Sequence, residues 1–319
     1  MRIALIMLSM VVTLLGVAII LLFQTRQILT STAMPSTPSL PEVKHPDLTT
    51  YALPSLPIPD SISLAGEAIP LSLTDIRERY EFELLVTVYR QSATIVGLKR
   101  AARWFPIIEP ILKSQGIPDD FKYLCVVESN LANAISPSKA VGFWQFLEGT
   151  AIQYGLEVNK NVDERYHVEK ATIAASKYLK DAYKKFGNWT LAAASYNMGM
   201  TGLQDQISQQ EENDYYKLKL NVETSRYILR IAVTKELFEH PEQYGFNLSK
   251  EELYAPYKTR KLLIQYNIPD LVSFAKEQGS SFYMLKELNP WLRSNQLYLS
   301  PQKAYEILLP INDENAAHR

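Results

Sequence analysis

One carboxylic acid, Glu128, closes an apolar run in the stretch CVVESNLANAISPSKAVGFWQF, residues 125–146. On a helix, Phe121, Leu124, Cys125 and Glu128 stand at positions i, i+3, i+4 and i+7, so the acid shares the inward face. Burial there disfavours the ionised form and raises the carboxyl pKa, which lets a Glu donate a proton near neutral pH. Two further groups carry matching chemistry: Ser136 to Phe146, and Ser195-Tyr196-Asn197-Met198-Gly199. Gly142 beside Phe143 and Trp144 permits close backbone approach, and Gln145 offers an amide. Tyr196 and Asn197 add a hydroxyl and an amide to orient the acid or to hold a polar substrate. At this level plainer readings stay open: Glu128 as a satisfied structural acid, Phe143-Trp144 as core, and Tyr196-Asn197 as a helix end.

The elements that must position these residues read as helices. Asp75 to Ser92, Lys99 to Gln115, a helix ending at Glu128, Glu169 to Phe186, Trp189 to Met198 and Val222 to His240 all show helical patterning or stop signals. Pro106 and Pro110 are expected to break the second into pieces. In the fourth, Ala171, Ala174, Ala175, Tyr178, Leu179, Ala182 and Phe186 form a narrow stripe of mostly small residues that lets neighbours approach closely. No alternating run between Ser61 and Pro241 is long enough to demand a sheet. The expectation is a mainly α domain over 61–250, followed over 255–319 by a small β-α-α-β unit with strands at Leu262 to Ile264 and Tyr305 to Leu309.

The 319 residues are 47% hydrophobic and 21% charged, which excludes a disordered chain. With 33 basic against 34 acidic residues there is no net field to hold a polyanion, so nucleic acid is not an expected partner. Cys125, the one cysteine, has no partner for an internal disulfide and reads as a small buried hydrophobe. Ile3 to Phe23 carries no charge and is about long enough to cross a hydrocarbon core of roughly 30 Å. A secretory h-region is shorter, about 7–15 residues, and QTRQILTSTAMPS offers no clean cleavage site, so residues 1–23 read as an uncleaved anchor rather than a signal. Residues 24–60, rich in Pro, Ser and Thr, read as a tether.

Taken together and in order, the three groups resemble the SLT-type lytic transglycosylases of glycoside hydrolase family 23. That pattern is an E-S pair, then S-x-x-x-A-x-G-[LF]-[MW]-Q-[FM], then A-Y-N-x-G. Here it is met by Glu128-Ser129, by Ser136, Ala140, Gly142, Phe143, Trp144, Gln145 and Phe146, and by Tyr196, Asn197 and Gly199. Ser195 stands where Ala is usual, and Lys139 where a small residue is common. The VDER of Val162 to Arg165, the FGNW of Phe186 to Trp189 and the ETSRY of Glu223 to Tyr227 resemble the membrane-bound lytic murein transglycosylase D branch.

The resemblance implies a lysozyme-like α-helical fold whose cleft grips a peptidoglycan glycan strand, with no metal or cofactor. It implies Glu128 as the single catalytic carboxyl, protonating the glycosidic oxygen and then taking the proton of the muramoyl C6 hydroxyl as that oxygen closes on C1. A 1,6-anhydro end results, whereas glycosidases with two carboxyls use water or a covalent intermediate. The resemblance further implies Tyr196 as the group orienting Glu128 or the sugar. It makes Ser136, Gln145 and Asn197 substrate or Glu contacts, and sets Glu223 and Tyr227 along the cleft. Asp163, Glu164 and Arg165 read as an interhelical ion-pair and cap cluster. Ile268 to Leu292 is similar to the middle of a LysM module, with Pro269-Asp270 in place of the usual G-D, so glycan binding and plain packing both remain open for that unit. The implied setting is a bacterial inner membrane with the catalytic domain in the periplasm. A muramidase that admits water and a non-catalytic glycan binder are the alternative functions.

Overall fold

The computed structural model describes residues 55–299 and 303–311. The expected membrane span and most of the tether lie outside the described residues. Among the described residues, no helix is long and apolar enough to cross a membrane. The last residues assigned to the tether are packed rather than free: Leu56 and Ile58 lean on a cluster that includes Ile76, Tyr80, Leu84, Leu229 and Val233.

A two-residue hairpin, β1 (Ser63–Leu64) with β2 (Glu67–Ala68), precedes the helices. Helix α1 (Thr74–Tyr89) buries Ile76, Tyr80, Glu83, Leu84 and Val88, a 3.6-residue stripe with an acid set inside it. Helix α2 (Gln91–Ser114) runs unbroken through Pro106 and Pro110, against expectation. The two prolines are four residues apart on the exposed face, so the carbonyls they leave unpaired face water, while buried Ala101, Ile108 and Leu112 hold the opposite face to the core. Helices α3 (Phe121–Ser129), α4 (Glu148–Gln153), α5 (Val168–Phe186), α6 (Trp189–Met198), α7 (Met200–Gln210) and α8 (Val222–Glu239) complete the domain.

The alanine stripe of α5 is buried as its pattern requires, and α6 packs along it with Ala192, Ala193 and Ala194 fully covered. Two helix starts in this domain are fixed by side-chain caps. Asn188 accepts from Leu191 N at 2.7 Å and Asn221 from Thr224 N at 2.8 Å, which satisfies free amides at the heads of α6 and α8. Glu67, from the hairpin, also accepts from the amides of Trp189 (2.6 Å) and Thr190 (2.8 Å), placing a carboxylate at the positive end of α6.

The C-terminal unit is β3 (Thr259–Ile264), α9 (Leu271–Glu277), α10 (Phe282–Leu288) and β4 (Tyr305–Pro310), the strands antiparallel with Ile264 opposite Tyr305. Its buried Asn289 donates to Leu308 O (2.7 Å) and accepts from Leu308 N (2.8 Å), tying the turn after α10 to the closing strand. The unit shares a core with the helical domain: Val141, Val162 and Tyr166 pack with Leu271, Trp291, Leu292 and Ile307. Asp163 N donates to Trp291 O (2.9 Å) and Arg293 N to Asn161 O (2.8 Å) across the junction. Tyr305 donates its hydroxyl to Glu157 at 2.8 Å.

Candidate active site

Helix α3 is anchored before it begins, because Asp120 accepts from Ala65 N (2.7 Å) and Lys235 Nζ (2.8 Å). It ends at Asn130, whose left-handed backbone (φ 52°) turns the chain away. Phe121, Leu124 and Cys125 are buried, and Glu128 lies one helical turn beyond Leu124 and Cys125 on that face. Its side chain opens partly onto a cleft, while the atoms packed around the carboxyl strip away most of its water.

That desolvation pushes the Glu128 pKa up to about 7 from an ordinary 4.5. A hydrogen bond donated by Tyr227 Oη to Glu128 Oε1 opposes the rise. The negative charge of Glu223 adds to it and the positive charge of Arg230 subtracts. The carboxyl is thus poised between its two forms near neutral pH.

The loop over 134–146 forms the facing wall. Ser136 Oγ accepts from Ala140 N at 3.0 Å, closing a tight turn. Gly142 has φ +82°, and a Cβ there would fall 2.0 Å from the Arg165 carbonyl oxygen, so only glycine fits. Gln145 Nε2 donates to Ala134 O (3.1 Å) and Gly142 O (2.7 Å), which fixes its amide plane. The loop is tied to α3 by Ser129 Oγ donating to Phe143 O at 2.9 Å, and to α5 by Trp144 Nε1 donating to Thr172 Oγ1 at 2.9 Å.

Behind the loop the acidic-basic triplet is structural. Arg165 is ion-paired with Asp163 at 2.7 Å, and Asp163 also caps the short 3-10 turn Glu164–Tyr166. Glu164 pairs with Lys170.

Glu128, Ser136, Gln145, Tyr196, Asn197 and Glu223 all line one cleft of about 990 Å³. Asn197 uses both ends of its amide, donating to Glu223 Oε1 (3.1 Å) and accepting from Thr224 Oγ1 (2.7 Å), so it joins α6 to α8 and holds Glu223 in place. Tyr227 differs from expectation, and of the two partners expected for Tyr196, Glu128 and the sugar, Glu128 is not one it bonds. Tyr196 donates its hydroxyl to Trp144 O at 2.8 Å and presents its ring to the cleft, and Tyr227 is the tyrosine bonded to Glu128. Tyr227 is 2% exposed and stands beneath the acid rather than along the wall.

Glu83 and Arg230 did not emerge from the sequence reading. Buried Glu83 on α1 accepts from Arg226 Nε and from Arg230 Nε (3.2 Å), locking α1 to α8. The available signal was an acid inside the apolar spacing of Ile76, Tyr80, Leu84 and Val88. Among the described residues no cluster of His, Cys, Asp and Glu is arranged to hold a metal ion.

Residues 105–219 match the family described as the transglycosylase SLT domain, and residues 260–313 match the soluble lytic transglycosylase C-terminal LysM-like domain. Among curated proteins the chain is similar to the membrane-bound lytic murein transglycosylase D of Escherichia coli K12 and to that of Escherichia coli O6:H1. Each is 25% identical over 250 residues, covering 75% of this chain and 53% of the relative. The chain therefore spans about half the length of these curated relatives.

Proposed function

We propose that this chain, which carries a transglycosylase SLT domain and a LysM-like C-terminal domain, is a peptidoglycan lytic transglycosylase. It cleaves the β-1,4 bond between N-acetylmuramic acid and N-acetylglucosamine and leaves 1,6-anhydro ends. The observation that carries the reading is Glu128, held in a glycan-sized cleft with its pKa brought to about 7 by burial.

Glu128 protonates the glycosidic oxygen as the C1–O bond breaks. The carboxylate formed then takes the C6 hydroxyl proton while O6 bonds to C1, so protons balance and no water is consumed. Tyr227 steadies the carboxylate between the two steps by donating to Oε1. Gln145 and Ser136 line the sugar path, and the ring of Tyr196 offers an apolar face to a pyranose. The apolar segment Ile3 to Phe23 anchors the chain in the inner membrane, and the tether lets the domain reach the wall from the periplasmic side.

A muramidase reading draws on Glu223, a second carboxylate in the same cleft. Digestion of purified peptidoglycan by the chain and by Glu128→Gln, with the released muropeptides weighed, tests both. Products one water lighter than reducing-end species, absent with Glu128→Gln, support the transglycosylase. Reducing ends would move the assignment to hydrolysis. No release by the unmodified chain would leave a glycan-binding role.

A further inference from the structure

Glu128 borders a second pocket besides the main cleft. This pocket measures about 360 Å³, opens beside the carboxyl and is lined by Thr87, Arg90, Thr94, Val127, Asn130 and Arg230 among others. Two of its uncharged polar side chains are already engaged: Thr94 Oγ1 donates to Thr87 O at 2.6 Å, and Asn130 Nδ2 donates to Ala93 O at 2.9 Å. The buried carboxylate of Glu83 also reaches it, but Glu83 is shared between Arg226 and Arg230. Arg230 meets Glu83 through Nε, which leaves its terminal nitrogens for another acceptor. Arg90, at the α1–α2 junction, is exposed and adds a second guanidinium. The lining sets two acids, Glu83 and Glu128, against Arg90 and Arg230, and Glu83 is also paired with Arg226 from outside it, so while Glu128 holds its proton the pocket carries more positive than negative charge beside the group that breaks the bond.

We propose that this pocket is an anion subsite, in which Arg90 and Arg230 take a carboxylate carried by the muramoyl side chain next to the cleaved bond. The inference rests on the peptidoglycan reading and names the part of the substrate that reading leaves open. A guanidinium presents paired N–H donors that match a carboxylate, and the pocket has room for a short acidic substituent. The carboxylate has two possible sources: the lactyl ether of a stem-free residue, or the first acids of an attached stem peptide.

The test is equilibrium binding to the full-length chain carrying Glu128→Gln, so that binding is read whether or not the unmodified chain cuts. Three short N-acetylglucosamine–N-acetylmuramic acid strands serve as probes: stem-bearing, stem-free with free lactyl carboxylates, and stem-free with those carboxylates converted to neutral methylamides. Adding Arg90→Gln should weaken binding of a carboxylate-bearing strand about tenfold and leave the neutral strand unchanged. Loss confined to the stem-free acid assigns the lactyl group, and loss confined to the stem-bearing strand assigns the peptide; either outcome supports the subsite. Equal loss on all three probes, or none on any, overturns it. A chain that binds with this discrimination yet releases no muropeptide in its unmodified form would sink the proposed function and keep the anion subsite.

Discussion

Tyr227 donates its phenol hydrogen to Glu128 across 99 positions of sequence, making a bond between α8 and the last turn of α3. The tyrosine is buried, so the contact is sheltered from competing water. It favours the carboxylate form and so limits how far burial lifts the Glu128 pKa.

Removing that bond has a definite sign. In Tyr227→Phe the carboxylate loses a donor, and the Glu128 pKa moves above its present value of about 7. The alkaline limb of the pH–rate profile, which reports loss of the protonated acid, should move up by about one pH unit while kcat falls. Muropeptide release followed from pH 5 to pH 9 checks it; an unshifted limb would detach Tyr227 from the acid.

The raised pKa also makes Glu128 a stability cost. Between pH 4.5 and about 7 the folded acid holds its proton while the unfolded one has released it, so stability falls as pH rises through that window. Glu128→Gln is free of this term. It should match the unmodified chain at pH 4 and exceed it by about 3 kcal/mol at pH 8. Urea unfolding at the two pH values measures the difference.

Gly142→Ala should be poorly tolerated. The added methyl would meet the Arg165 carbonyl at 2.0 Å, in a backbone conformation (φ +82°) that L residues avoid. A loss of about 2–4 kcal/mol is expected, with activity falling further because Gln145 hangs from the same turn. Denaturation midpoints and turnover of the purified variant give both numbers.

The shared core of the two domains predicts one calorimetric unfolding transition. Trp291 stacks against His167 (5.9 Å between rings) and Tyr305 (5.5 Å) at this junction. Trp291→Ala should cost about 3–5 kcal/mol and split the transition in two. A single transition that merely moves down in temperature would mean the units remain coupled through Val162 and Asp163.

Much of the architecture was legible because its causes are local. The alanine stripe of α5, Gly199 at the end of α6 and Pro241 after α8 each act within a few residues, and the helices follow those marks closely. The continuity of α2 was not legible: a proline breaks a helix or passes through it according to whether the freed carbonyls face core or water, and the sequence alone does not orient that face. Helix α7 escaped notice because its eleven residues bury Leu203 alone, too little for a periodic stripe.

The candidate site divides in the same way. The sequence by itself determined that an acid would sit on a buried helical face, that Gly142 would permit a close backbone approach, and that a small β-α-α-β unit would follow the helices. These depend on side-chain period, turn chemistry and composition. Only the tertiary structure decided that Tyr227 rather than Tyr196 meets Glu128, that Glu83 holds Arg230 beside it, that Glu67 caps α6, and that the C-terminal unit shares a core with the helical domain. Hydrophobic burial drives these helices together without direction, and which polar partners meet is settled by how α1, α3, α6 and α8 pack.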